Sequence, residues 1–572
     1  MNILGISAFG QNPAACLLVN GRLIAFAEEE RFIRIKTAYG KFPIEAIKYC
    51  LKEGNISISD IHEISMGWDY AKYSTFMPLF SARVWLEHAF LKHYSSSNRG
   101  LIDMITLQPT EVHKQISFHL SQLGLSGKFP VISYVSHHKA HAASCYYASG
   151  FPNSLIAVID GSGEERATSL YRAHGLTIDE ITHQNIPHSL GWFYAAFTAY
   201  LGFKPYEEDG FVMGLSSYGK FTDEFAQKIS RIVQIQNGSY TVDPTYTLLG
   251  PHSHSEHYSD KLVDLFGPFR RPFEPVTQRH KDIAYAVQTK LEDVVLHSIR
   301  AAMPAAQSSN LCLAGGVALN CKMNGKIVKS AIASDLFIQP SSNDSGTALG
   351  AAMLCSVGHG EDPRFHMNHA KWGPSFSEQA VRDILDEAMI AYSRPKHIEK
   401  TVARAIAEGK IIARFDGRME MGPRALGGRS ILADASKKGM DTRINKRIKH
   451  REPWRPFCPS MISDVAHVYN ANCMENRFMT VVYDVPKARV GDIPSVVHID
   501  RTSRPQVVDK SVDPAYYNII KSVGEYTGIP VVLNTSLNVK GEPIACKPID
   551  ALRCFESTGI DALALQGFWI EK

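Results

Sequence analysis

A chain of 572 residues with a formal charge of +4, 45% hydrophobic and 21% charged residues fits a globular protein of two or more domains. So small a net charge supplies no general pull toward nucleic acid or a membrane surface, and no apolar run is long enough to cross a bilayer. The ten cysteines are scattered without a CxxC pair and Met1 runs straight into a strand-like segment, so free thiols and a cytoplasmic location are expected.

Residues 2–9 (NILGISAF) are predicted to form a buried strand, 14–19 a second and 22–28 a third, with Asn20-Gly21 as a hairpin turn between the last two. Gly10-Gln11-Asn12-Pro13 is the loop after the first strand. Residues 28–36 (EEERFIRIK) read either as a solvated charged face or, beside that loop, as a source of ligand groups in Arg31, Arg34 and Lys36. Residues 70–115, rich in aromatics and without a clear period, are expected to form a helical insertion that shapes an acceptor pocket.

The densest chemistry lies between Tyr134 and Gly163. His137 and His141 stand four apart in an alanine-rich helical stretch, so both imidazoles share a face and can close on one ion. Such pairs also occur as surface or capping pairs. A buried strand, Leu155 to Ile159, is predicted to end at Asp160, a further oxygen ligand, and at a Gly161-Ser162-Gly163 loop whose N–H groups suit a phosphate. The same strand–loop–strand plan as at the N-terminus returns here, with Ala167 to Ala173 as the returning strand. Two such units facing a nucleotide are the plan of the actin-like ATPase fold; an unrelated mixed α/β domain is the alternative.

Further on, a helix is expected from Ser189, a tight glycine-bounded turn at Met213 to Gly219, and a core helix over 282–302. Leu311 to Ala314 reads as a strand running into Gly315-Gly316-Val317-Ala318-Leu319-Asn320. There a helix N-terminus and two glycines allow close approach of a nucleotide. Asp344, after a strand ending near Gln339, is placed to be a fourth metal ligand. Polar, Gly- and Pro-rich texture marks residues 361–376 as a linker between domains at 1–360 and 377–572. In the second domain a strand over 411–415 precedes the loop 417–430, and Arg443, Lys446, Arg447, Lys449, Arg451 and Arg455 follow closely. Basic residues among fixed glycines and prolines suit phosphates, and few stacking aromatics accompany them, which disfavours nucleic acid. A strand at 531–533 delivers Asn534 to Asn538, neutral groups able to hold a small amide.

ILGISAF, AEEERF, HHKAHAAS, VIDGSGEE, MGLSSYG, AGGVALN, NDSGTALGAA, GPRALGGRS, WRPFCPSM, SRPQVV and LNTSLNVKGEPI stand in order along essentially the whole chain. In these motifs it resembles the NodU/CmcH-type O-carbamoyltransferases. The resemblance implies an α/β protein with an N-terminal duplicated actin-like (ASKHA) domain and a C-terminal YrdC-like α/β domain. It implies that carbamoyl phosphate and Mg-ATP are joined as carbamoyl adenylate in the second domain. The carbamoyl group then passes in the first domain to a hydroxyl of a small-molecule natural product. Nucleic acid and membrane are not implied as partners, and a homodimer is compatible with it. Carried over by motif, the metal ligands are His137, His141, Asp160 and Asp344, with iron the expected ion and manganese or zinc alternatives. The catalytic candidates are His137, Asp160, Arg455, Gln11 and Lys36. The nucleotide and carbamoyl contacts are Gly161, Ser162, Gly163, Gly315, Gly316, Asn320, Arg418, Arg424, Arg429, Lys449, Arg455, Arg504, Asn534 and Ser536.

Two positions depart from the family pattern. Gln11-Asn12 stand where the family carries His-Asp, the expected base for the acceptor hydroxyl, and Phe211 stands where it carries a lysine. Both concern transfer and leave adenylate formation untouched. The acceptor is then activated by another group, a metal-bound hydroxide or a carboxylate such as Glu164 or Glu208, or is an amine or guanidine that needs less help. The remaining alternative is a nucleotide-binding partner protein that no longer transfers.

Overall fold

In the computed structural model, which describes residues 1–88, 107–125, 129–247, 257–471 and 476–572, one sheet plan occurs twice. Strands β1 (Asn2–Ser7), β2 (Ala14–Val19), β3 (Arg22–Glu28), β4 (Glu63–Met66) and β5 (Val131–Tyr134) form a sheet in the order β3-β2-β1-β4-β5. The chain continues through β6 (Asn153–Gly163), β7 (Arg166–His174) and β8 (Thr177–Asn185), then a two-stranded ribbon of β9 (Val233–Gln236) and β10 (Ser239–Val242). With β11 (Asn310–Ala314) and β12 (Asp335–Ile338), a second sheet runs β12-β11-β6-β7-β8. In each sheet the first strand pairs antiparallel with the second and parallel with the fourth, and the fourth parallel with the fifth. This is the duplicated actin-like architecture. Its central strands β1 and β2 and the first half of β6 are near-continuous apolar runs because both their faces are covered.

The His137–Ser149 and Ser345–Gly358 helices pack on each other. Gly350 makes this possible, since a Cβ there would lie 1.7 Å from the carbonyl oxygen of Ala140. Two local expectations change, and a third is met over the described residues. Met213 to Ser216 belong to the Asp209–Ser216 helix, whose Phe211, Val212 and Leu215 are buried, so the expected turn is confined to the residues after it. β6 does not stop at Asp160; it runs on to Gly163 with its register broken between Ile159 and Gly163. Asp160 therefore sits on a bulge, a device that re-aims a side chain. Of the expected insertion, Tyr70–His88 and Pro109–Gln122 are helices and residues 89–106 lie outside the described residues.

The chain divides into two compact units, residues 1–25 with 39–366 and residues 26–38 with 367–572. The second holds a seven-stranded sheet built from β13 (Ile412–Phe415), β14 (Arg429–Asp434), β15 (Cys458–Ile462), β18 (Gln506–Val508), β19 (Val531–Ser536), β20 (Ala562–Leu565) and β21 (Phe568–Glu571). Its order is β18-β15-β19-β14-β13-β20-β21, and a ribbon of β16 (Tyr483–Asp484) and β17 (Thr502–Ser503) stands apart. Neighbouring residues of one strand join different apolar clusters: Ala413, Ile431 and Leu533 one, Ile412, Leu432 and Val532 the other. Both faces of this sheet are thus covered as well.

Residues 26–38 are not a solvated face. Glu28 Oε1 accepts from the Gly422 N–H at 2.6 Å, and buried Arg31 donates to the Gly422 carbonyl at 2.7 Å. Arg34 donates to the carbonyls of Pro543 and Ile544 at 2.8 and 2.7 Å. This N-terminal segment is thereby a built-in part of the second unit, with Lys36 exposed on it.

Candidate functional site

In the first unit His137, His141, Asp160 and Asp344 come together, one ligand atom from each lying within 4.8 Å of every other. The 137–149 helix presents His137 and His141 on one face, the β6 bulge presents Asp160, and Asp344 heads the 345–358 helix. His137 Nε2 lies 3.2 Å from His141 Nε2, 3.5 Å from Asp160 Oδ2 and 3.9 Å from Asp344 Oδ1, while His141 Nε2 lies 3.0 Å from Asp160 Oδ2. His137 Nδ1 contacts the Gly67 carbonyl at 3.0 Å, and a carbonyl only accepts, so Nδ1 carries a proton and it is Nε2 that can offer a lone pair to the cluster once deprotonated. Asp160 Oδ2 is buried against the two imidazole Nε2 atoms. Lone pairs that converge with too few protons fit a divalent cation, and two imidazoles with two carboxylates suit iron, manganese or zinc.

The electrostatics carry the same mark. Burial opposes charge on His137, but the hydrogen bond with Asp160 and the charges of Asp344, Asp160 and Glu164 outweigh it and lift the imidazole to about 9. Burial raises Asp344 to about 7, with His137 working against it and Asp160 with it. Burial acts on Asp160 too, yet the bonds to His137 and His141 hold it well below the usual carboxylate range.

The surrounding loops are fitted closely. A Cβ on Gly163 would lie 2.6 Å from His137 Cδ2 and 2.7 Å from His138 Cδ2, so only glycine lets β6 pass the paired histidines. Gly161 donates its N–H to Asp160 Oδ1 at 2.7 Å, and Ser162 is half-buried beside it. Gly315 and Gly316 lie against Ile159 and Asp160, and Asn320 caps the following helix while bonding Gln288. The loop of Gln11 faces the cluster, since a Cβ on Gly10 would lie 3.9 Å from Asp344 Oδ2. Phe211 is buried against Phe203 and brings no charge. Glu164, buried and with φ of 48°, accepts from the N–H groups of His137 and Asp69 at 3.0 and 2.8 Å. It holds the start of the histidine helix.

In the second unit the dense basic run separates. Arg443 and Arg447 pair with Asp561 at 3.1 and 3.2 Å. A π-helical turn, Asn445–Lys449, then turns Lys449 onto the end of β19, where its amine donates to the Asn538 carbonyl at 2.9 Å, to Asn538 Oδ1 at 2.8 Å and to Ser536. Such turns often accompany functional sites. Burial, with Arg451 and Arg455 nearby, holds this lysine well below its ordinary range. Burial and the like charges of Arg455, Arg504 and Arg424 push Arg451 down to about 9. Arg504 donates to Cys458 Sγ at 3.2 and 2.9 Å, and Cys458 pairs in register with Asn534. The Asn534 amide nitrogen is committed to Ser460, Gln506 and Ala425, which leaves its Oδ1 buried with nothing to accept from.

Two of the expected arginines donate to carbonyls of the loop and its neighbours. Arg418 donates to the carbonyls of Gly373 and Trp372. Arg429, fully buried, donates to those of Asp416, Gly428, Pro374 and Gly417. Glu420 accepts from the N–H groups of Leu426, Gly428 and Arg429 and fixes the same loop. Arg451 was one unmarked member of the basic run, and Glu420 carried no signal; the π-helical turn that sorts the run leaves no trace in composition.

Residues 2–353 match the family described as Carbamoyltransferase N-terminus, and residues 403–572 match Carbamoyltransferase C-terminus. Nodulation protein NolNO of Sinorhizobium fredii is 33% identical over 99% of this chain and 80% of its own length. Nodulation protein NolO of Bradyrhizobium diazoefficiens is 34% identical over 77% of this chain and 79% of its own. A 3'-hydroxymethylcephem-O-carbamoyltransferase of Amycolatopsis lactamdurans is 30% identical over 51% of this chain and 54% of that protein.

Proposed function

The chain belongs to the carbamoyltransferase family, and from that premise we propose that it is an O-carbamoyltransferase driven by ATP and carbamoyl phosphate. Carbamoyl phosphate, ATP and water give carbamoyl adenylate, phosphate and pyrophosphate. The carbamoyl group then passes to a hydroxyl of a small-molecule natural product, and AMP leaves. The observation that supports this best is the crowd of Arg424, Arg451, Arg455 and Arg504 beside Asn534, whose Oδ1 has no donor. Guanidinium groups pressed together by burial favour an incoming polyanion, and an unpaired amide oxygen favours an N–H of the carbamoyl group. Lys449, tied to Ser536 and Asn538, holds the β19 end in place.

In the first unit, a divalent ion held by His137, His141, Asp160 and Asp344 would act as a Lewis acid toward the adenylate. Glu164 and the Gly67 carbonyl orient His137, and the N–H groups of the Gly161–Gly163 bulge are available to phosphate oxygens. Gln11 and Asn12 take no proton at neutral pH. This favours a second reading, transfer to an amine or guanidine acceptor.

The test is pyrophosphate release from Mg-ATP without acceptor, with and without carbamoyl phosphate, on the wild type and on Arg455→Ala. Release that needs carbamoyl phosphate and collapses in the variant is expected. No release from the metal-loaded wild type would sink the carbamoyl-adenylate reading. Hydroxyl and amine acceptors then separate O- from N-transfer.

A further inference from the structure

The first unit holds a second group of metal-ligating side chains, far from the first. Cys355 lies in the last turns of the 345–358 helix and His359 directly follows that helix, so the thiol and the imidazole stand four residues apart. Glu63 opens β4, on which this helix packs. His359 Nε2 lies 2.8 Å from Glu63 Oε2, and one ligand atom each of Glu63, Cys355 and His359 falls within 4.8 Å of the other two.

Two features set this trio apart from an ordinary surface ion pair. Cys355 is the one cysteine among those described that is not buried. Its thiol and the His359 ring both lie against the Glu63 carboxylate, beside the Ser133 hydroxyl. Replacing the protons they donate by a single divalent ion leaves all three groups partnered. The three ligand atoms are close enough for one ion to reach all of them, and exposure of His359 leaves a fourth position to water.

We propose that Glu63, Cys355 and His359 form a second metal site, one that takes a borderline-soft divalent ion of the zinc class. Thiolate, imidazole and carboxylate together select such an ion over magnesium or calcium. Binding releases the thiol proton to solvent. Asp344 and Cys355 stand eleven residues apart on one helix, about 16 Å at 1.5 Å per residue, so no ligand is shared with the first cluster. Both elements of the new site also carry parts of the first: the helix is headed by Asp344, and β4 leads to the Gly67 carbonyl that orients His137. The role that follows is structural, a clasp on the framework behind the first cluster.

Cobalt(II) as the probe distinguishes the two sites, because the first contains no sulfur. The metal-free full-length protein titrated with cobalt(II) should develop a thiolate-to-cobalt charge-transfer band in the near ultraviolet, and zinc(II) should abolish it. The band should persist in Asp160→Asn and vanish in both Cys355→Ser and His359→Gln, with zinc stoichiometry falling by one ion per chain in each. A wild type without the band, or a band that survives Cys355→Ser, overturns the proposal. If Cys355→Ser does not fold, His359→Gln decides by the same reading. Failure here leaves the carbamoyl-transfer reading intact, since that rests on pyrophosphate release.

Discussion

The two clusters bury charge with opposite signs. In the first unit, imidazoles and carboxylates converge, and partial self-neutralisation shows in His137 lifted to about 9 beside Asp160 held low. In the second, Arg451 is pushed down to about 9 by burial and by three other arginines. A buried group displaced in this way states what it lacks: a cation at the first cluster, an anion at the second. The difference also separates the chemistry, because each cluster can be disabled alone.

The largest effect is expected at Asp160. Its carboxylate touches both histidines, so Asp160→Asn should weaken iron, manganese or zinc retention by at least ~100-fold, beyond the range typical of outer-shell changes. Metal content by elemental analysis checks this. Pyrophosphate release should stay within about twofold of wild type; a parallel loss of both would mean the two clusters are not separable.

Arg451→Met makes the reverse cut. The variant should lose about 100-fold in kcat/KM for carbamoyl-phosphate-dependent pyrophosphate release, in line with removal of a charge-assisted contact in a preorganised site. Metal content should not change. Because the lost charge repels Arg455, Arg504 and Arg424, the ligand-free variant should melt no lower than wild type, and higher if the repulsion dominates. A drop of several degrees would make Arg451 a structural residue.

How far these clusters could be read beforehand differs for a physical reason. The histidine pair, Asp160 and Asp344 each sit at a point that one-dimensional patterns mark: a four-residue helical spacing and the ends of apolar runs. The repeated strand plan was legible in the same way. The second cluster depended on direction. Arg443, Arg447, Lys449 and Arg451 read alike, yet the first two pair with Asp561, while the π-helical turn ending at Lys449 brings the last two toward β19. Arg429 looked like a ligand; it is completely buried and donates to four carbonyls of its own loop region, a fixing role that composition does not reveal. The segment 26–38 was equally opaque: only long-range contacts to Gly422, Pro543 and Ile544 assign it to the second unit.

Proton competition sharpens the comparison on the metal side. Asp344 in the folded chain titrates at about 7 and His137 at about 9, both above their ordinary values. Groups raised on folding stabilise the metal-free protein at low pH, Asp344 below about 4 and His137 below about 6.5. That contribution is lost as pH rises through about 7 and about 9. Metal binding needs both deprotonated, so affinity should rise with pH across the same window. The thermal shift caused by metal should therefore grow from pH 6 to 9, and Asp344→Asn should remove the step near 7. A shift independent of pH would mean that these two groups do not bind the ion.

The smallest effect is expected at Glu164, and it decides a question of role. A carboxylate near the histidine–aspartate cluster is a natural candidate for the base that Gln11 cannot be. Here its oxygens already accept from the N–H groups of His137 and Asp69, with Ser136 adding a longer contact. An amide at this position keeps an acceptor for those N–H groups and removes only the charge. That charge is among the influences that lift His137, so in Glu164→Gln the pH at which metal is taken up should move down by a fraction of a unit. Carbamoyl transfer should stay within about tenfold of wild type, whereas loss of a general base costs ~10²–10⁴-fold. A collapse of that size with metal content intact would make Glu164 the base, and the acceptor hydroxyl would then be activated by the residue that caps the histidine helix.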